Sequence, residues 1–226
     1  MLNLLKQNKR LNETIFLMGV SFCCLAFSLF RCFYTGSIMF FFLNWNLFLA
    51  FVPWFLTSLA IIKPQYFQHK GTIILLLFSW LLFFPNAPYI LTDIFHLRRV
   101  FSMPVWFDTI LIISFAWVGL VFGFLSLWDI ETLLSRFMNK CWVHAIAVFL
   151  LLLAAFGIYL GRYLRFNSWD ILTDPFNLLG DIGDRLINPY KHPRSWGMTL
   201  FMGVFLNMVY WSLVLMRKRG YDHNGS

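Results

Sequence analysis

Apolar residues gather in six blocks, at approximately 14–34, 38–62, 71–85, 105–128, 141–164 and 196–216, and polar residues are largely confined to the gaps. A helix of about 20 apolar residues spans the hydrocarbon of a bilayer, and only the third block falls short of that length. It stops at Pro85, and the backbone can continue past a proline there only where protein or water satisfies the freed groups. The pattern predicts an all-α polytopic membrane helix bundle of about six transmembrane helices, forming one integral membrane domain over residues 1–226. No gap is long enough to hold a separate soluble core.

The longest gap, 166–195, contains DPFNLLGDIGDRLINP. Asp174 suits an N-cap and Pro175 the first helical position, while Asn188-Pro189 ends the run. Pro175, Leu179, Ile182 and Leu186 recur on one side, with Asn177, Asp181, Asp184 and Arg185 elsewhere. This predicts an interfacial amphipathic helix over 174–188, lying on the membrane surface.

Composition agrees with lipid as the main solvent. The chain is 60% hydrophobic, 20% aromatic and 12% charged, with a mean hydropathy of +0.70, whereas soluble domains carry about a quarter charged residues. The net charge of +8 does not form a nucleic-acid patch. Its positives flank the apolar blocks, as at Arg98–Arg99 and Arg217–Lys218–Arg219, so no nucleic-acid partner is expected. Under six crossings, ten Lys and Arg fall on the side of both termini and eight on the other. Both termini are therefore placed in the cytoplasm. Arg31, near the end of the first block, is expected to snorkel to the surface. The four cysteines sit in or beside apolar blocks with no metal-type spacing and read as packing residues.

Two polar segments stand out: FFPNAPYILTDIFHLRRV at 83–100 and GIYLGRYLRFNSWD at 157–170. As an α-helix capped near Asn86, the first places Tyr89, Asp93 and His96 in one stripe with Asn86, at about 100° per residue. Asp108 opens the fourth block. In the second segment, Arg162, Arg165 and Trp169 lie near one face, and Asn167 and Asp170 flank the tryptophan. Two crossings separate these loops, so six spans put both on the same membrane face. An ion left unpaired at lipid depth costs several kcal/mol, and a guanidinium of Arg162 or Arg165 suits the carboxylate of Asp93 or Asp108.

The candidate polar site is thus Asn86, Tyr89, Asp93, His96, Asp108, Arg162, Arg165, Asn167, Trp169 and Asp170. Self-paired charges in an interfacial belt would explain it without a ligand. Its arginines also suit an anionic lipid headgroup or a membrane partner protein. Asp93 and His96 are the metal-ligand candidates of a lesser alternative, because one Asp-x-x-His pair brings a single histidine. No cofactor is expected, and a divalent metal belongs only to that alternative. Gly119-x-x-x-Gly123 predicts close helix approach within the bundle. No nucleotide-binding, serine-elbow or zinc-protease motif occurs.

FPNAPYILTDIFHL, the Trp106–Asp108 tripeptide and GIYLGRYLRFNSWD together resemble the bacterial multi-pass membrane family catalogued as domain of unknown function 1361. The resemblance covers most of the chain after the first block. It implies a bacterial integral membrane protein of several helices and brings no catalytic residues with it. The leading functional expectation is a bacterial plasma-membrane protein that binds an anionic headgroup or a partner at this site. A membrane-embedded enzyme acting on a lipid-linked substrate comes second, and a small-solute transporter third.

Overall fold

The computed structural model describes residues 10–67, 69–99, 103–166 and 170–223. Every regular element among them is helical. Six helices are long and apolar enough to cross a membrane, so the chain is a multi-pass membrane protein. Exposed Phe22, Phe33, Ile74 and Phe201 on these helices are the lipid-facing residues such a composition demands. The chain divides into two compact units, Met1–Phe137 and Met138–Ser226.

The first unit holds α1 (Leu11–Thr35), α2 (Phe42–Ile62), α3 (Lys70–Phe83), α4 (Asn86–Tyr89) and α5 (Val105–Leu134). A 3₁₀ stretch, Ile90–Arg99, follows α4. The central element is α5, which packs against α2, the 3₁₀ stretch, α4 and α1. Its most apolar window is 67% buried, against 22% for α1. Leu111, Ile112 and Phe115 of α5 share a core with Leu43, Ala50 and Trp54 of α2.

The third span does not end at Pro85. It runs as Lys70–Leu97, and its break is stabilised from within. Ala87 N–H turns to the Phe84 carbonyl at 3.1 Å, and the Asn86 side-chain amide donates to the Phe83 carbonyl at 2.9 Å. Two glycines of α5 let this break come close. A Cβ on Gly119 would stand 2.8 Å from the Ala87 carbonyl oxygen, and one on Gly123 2.9 Å from the Ala87 Cβ. The close approach expected of that Gly-x-x-x-Gly is therefore made inside the unit.

The second unit holds α6 (Lys140–Tyr163), α7 (Asp170–Thr173), α8 (Pro175–Ile187) and α9 (Pro193–His223). Helices α6 and α9 pack as a pair. Gly203 faces Leu152, and the His144 ring meets Trp211 edge-on at 5.1 Å. The helix expected over 174–188 is α8, with Asp174 at its N-cap position and Pro175 first. The Asp174 side chain takes the amide of Asn177 at 2.9 Å rather than a backbone N–H. Its buried line is Leu178 with Arg185, so Arg185 is not on a solvated face as the sequence pattern suggests. Phe176, Leu179, Leu186 and Ile187 are the exposed apolar residues.

Candidate functional site

The acidic row of the first unit rests on a 3₁₀ helix, which corrects the α-helical stripe expected from sequence. At about three residues per turn, Asp93 and His96 eclipse each other, while Tyr89 is rotated away by about a third of a turn. Asp93 is 1% exposed, and its Oδ2 accepts the Asn46 amide of α2 at 3.0 Å. The His96 Nδ1 lies 3.7 Å from Asp93 Oδ1, and its ring packs on Phe42 at 5.5 Å. The Tyr89 carbonyl accepts the Thr92 hydroxyl at 2.7 Å.

Asp108 is held from a helix that sequence reasoning left out of the site. Arg31 Nε donates to Asp108 Oδ1 at 2.7 Å and Nη2 to Oδ2 at 3.2 Å, a two-pronged fork. The side chains are 1% and 4% exposed, and the guanidinium lies 4.4 Å from the Phe40 ring centroid. Arg31 therefore does not snorkel. Its charge is answered inside the bundle, where a carboxylate in a low-dielectric site is a better partner than distant water.

A second buried pair closes the other end of the same helices, and sequence reasoning missed it. Arg10 is bonded to Asp129, and its other nitrogen donates to Ser58 Oγ at 2.6 Å. Thr57 donates to the remaining Asp129 oxygen at 2.8 Å. A signal for both pairs was in the sequence. Arg10 and Arg31 stand 21 residues apart, as do Asp108 and Asp129. At about 1.5 Å per residue, 21 residues rise roughly 32 Å, close to the hydrocarbon thickness. Two antiparallel helices are thus pinned at two levels about one hydrocarbon thickness apart.

The basic half of the predicted site lies in the second unit. Arg162 is half-buried in the last turn of α6. Arg165 is exposed and adopts a left-handed backbone, φ +63°. Phe166 N–H bonds back to the Leu160 carbonyl at 3.3 Å, across a left-handed Arg165 that takes the conformation usually given to glycine. Asn167 and Trp169 lie outside the described residues. Asp170 opens α7 and accepts the Thr173 hydroxyl at 3.2 Å. Among the described residues, no three His, Cys, Asp or Glu side chains are grouped as a metal site would require. Asp93 and His96 supply two candidate ligands.

Beyond the predicted residues, charge collects where α8 turns into α9. Arg185 Nη1 donates to the Asp181 carbonyl and to its Oδ1, both at 2.7 Å. Burial opposes the Arg185 charge, but hydrogen bonding to Tyr159 and Asp181 outweighs it and holds the guanidinium above its ordinary pKa. Asp184 accepts the Asn188 amide and the His192 Nε2–H, both at 2.7 Å. The Asn188 hydrogen bond first, and His192 next, hold its carboxyl below the usual range. At the start of α9 a cavity of about 290 Å³ is lined by Tyr159, Lys191, His192, Pro193, Arg194 and Ser195.

The profile of one protein family, described as Protein of unknown function (DUF1361), matches residues 45–209. No curated protein and no solved structure matches the chain. With most of its length matched, including the 3₁₀ row, Arg162, Arg165 and the cavity, the chain belongs to the DUF1361 family.

Proposed function

We propose that this DUF1361 protein is a non-enzymatic protein of the bacterial plasma membrane, with both termini cytoplasmic, that binds an anionic lipid headgroup through Arg162 and Arg165. The observation that carries the reading is the backbone of Arg165. Where α1 ends, Gly36 takes the equivalent left-handed turn, φ +65°. Where α6 ends, an arginine occupies it at a cost of about 1 kcal/mol relative to glycine. A strained residue that keeps a long cationic side chain exposed at the end of a membrane span suggests a use for the charge. Arginine forks match phosphate and carboxylate oxygens, and the exposed aromatic side chains of Tyr163, Phe176 and Tyr190 suit the headgroup layer. The exposed apolar residues of α8 favour its lying in the same layer.

Native mass spectrometry of the purified full chain tests this. Retained anionic lipid is expected, and the double variant Arg162→Ala/Arg165→Ala should lose it while Asp93→Asn keeps it. Unchanged retention in the double variant sinks the reading. Topology is tested separately by cysteine labelling at Phe95 and Tyr190 in a chain whose own cysteines are replaced. Both sites should be modified from the same outer side of intact cells.

A further inference from the structure

We infer that the cavity at the start of α9 is a binding site for a phosphate group, free or on a lipid headgroup, held by Lys191, Arg194 and Ser195. The inference rests on the reading that this end of the second unit receives an anion, and it names the anion's chemistry.

Ser195 supplies the observation that separates this place from any other helix start. It lines the cavity, is 0% exposed, and its Oγ has no hydrogen-bond partner. A buried hydroxyl left without a partner costs about 1–3 kcal/mol, and an acceptor entering the cavity removes that cost. The backbone does not compete for this role. The Ser195 and Trp196 N–H groups turn back to the His192 carbonyl at 3.1 and 3.4 Å. Donation therefore falls to side chains, assisted by the positive end of a 31-residue helix.

The charges sort in the same direction. Lys191 and Arg194 are exposed cations on the cavity wall. The neighbouring acids are engaged: Asp184 with Asn188 and His192, and Asp181 with Arg185. Asp184 also accepts the Nε2–H and so fixes the His192 ring at the cavity edge. An ammonium, a guanidinium fork and a hydroxyl on one cavity suit a multiply charged acceptor with several oxygens better than a single carboxylate.

The test uses the full chain, purified in neutral detergent and washed free of lipid. Native mass spectrometry follows its binding of phosphatidic acid and of a long-chain fatty acid, with inorganic phosphate as competitor. Phosphatidic acid should be retained about tenfold better than the fatty acid. Lys191→Gln, Arg194→Gln and Ser195→Ala should each lower that retention about fivefold. Displacement by inorganic phosphate would identify free phosphate as a ligand; resistance to it would identify the lipid headgroup, and both uphold the site. Should Ser195→Ala fail to fold, the exposed Lys191 and Arg194 variants decide, with thermal midpoints matched to the parent. Equal retention of both lipids, or undiminished binding by the variants, overturns the inference. Anionic lipid lost with Arg162 and Arg165 but indifferent to phosphate and to Ser195 would overturn this site alone. Inorganic phosphate bound by a chain that retains no anionic lipid would uphold it and overturn the headgroup reading.

Discussion

The buried charge of the first unit and the exposed charge of the second are handled in different ways. In the first, two buried arginines meet carboxylates on another helix: Arg31 with Asp108, and Arg10 with Asp129. In the second, Lys191 and Arg194 line an open cavity whose buried serine hydroxyl has no partner. Arg165 meanwhile stands exposed on a strained turn. A charge matched from within is an element of the fold, because removing either partner leaves the other stranded. A donor left unmatched at a surface is available to a ligand. The type of residue does not separate these cases, since arginine serves in both. What separates them is whether the opposite charge comes from the same unit.

The largest expected effect comes from breaking the deeper clamp. Asp108→Asn leaves Arg31 almost fully buried without its counter-charge, and should cost roughly 3–5 kcal/mol. The measurement is the unfolding midpoint of the purified chain in detergent. Restoration by the double change Arg31→Met/Asp108→Leu would show that the stranded charge, not lost packing, is responsible. A single variant as stable as the parent would remove the distinction between the units.

Next is the clamp at the other edge. Its side chains are 11% and 8% exposed, and Thr57 and Ser58 continue to supply hydrogen-bonding groups. Asp129→Asn should therefore cost less, about 2 kcal/mol, in the same measurement. An effect equal to that of Asp108→Asn would mean that burial depth does not set the cost here.

How much of this was legible from sequence follows the same divide. Spans and the amphipathic helix after the fifth were readable because hydrophobic period and length depend on local sequence alone. The 3₁₀ geometry at Asp93 was not, since the chain past the proline break could continue as either helix and no local pattern marks the choice. Arg31 was misread because snorkelling is the ordinary fate of an arginine near a helix end. Only its separation from Arg10, matched to that of Asp108 from Asp129, hints otherwise. Arg162, Arg165 and Asp170 are singled out by their residue type, whereas Ser195 offers no sequence signal. A serine three residues into a helix is common, and it becomes informative only through burial without a partner.

A smaller effect, of opposite sign, tests the exposed side of the comparison. Arg165→Gly should raise stability by roughly 0.5–1 kcal/mol, because glycine takes the left-handed turn without strain. It should also weaken anionic-lipid retention. Arg165→Ala should weaken retention without the gain in stability. Glycine that neither stabilises the chain nor weakens retention would mean that Arg165 is held in its turn for some other reason.

The smallest effect is a pH dependence at Asp184, which holds the His192 ring beside the cavity. Its carboxyl is held below the usual range by the Asn188 amide and then by His192. The folded state therefore binds this proton less readily than the unfolded chain does. The stabilisation is fully present above the ordinary carboxylate pKa of about 4, and it fades as pH falls through the lower folded value. Because the group is exposed to solvent, the loss is expected to be shallow and to weaken further with salt. Thermal midpoints of the full chain, taken from about pH 6 down to about pH 3, should show an acid limb that Asp184→Asn makes shallower. An unaltered limb in that variant would assign the acid sensitivity to other carboxylates and leave His192 held by packing instead of charge.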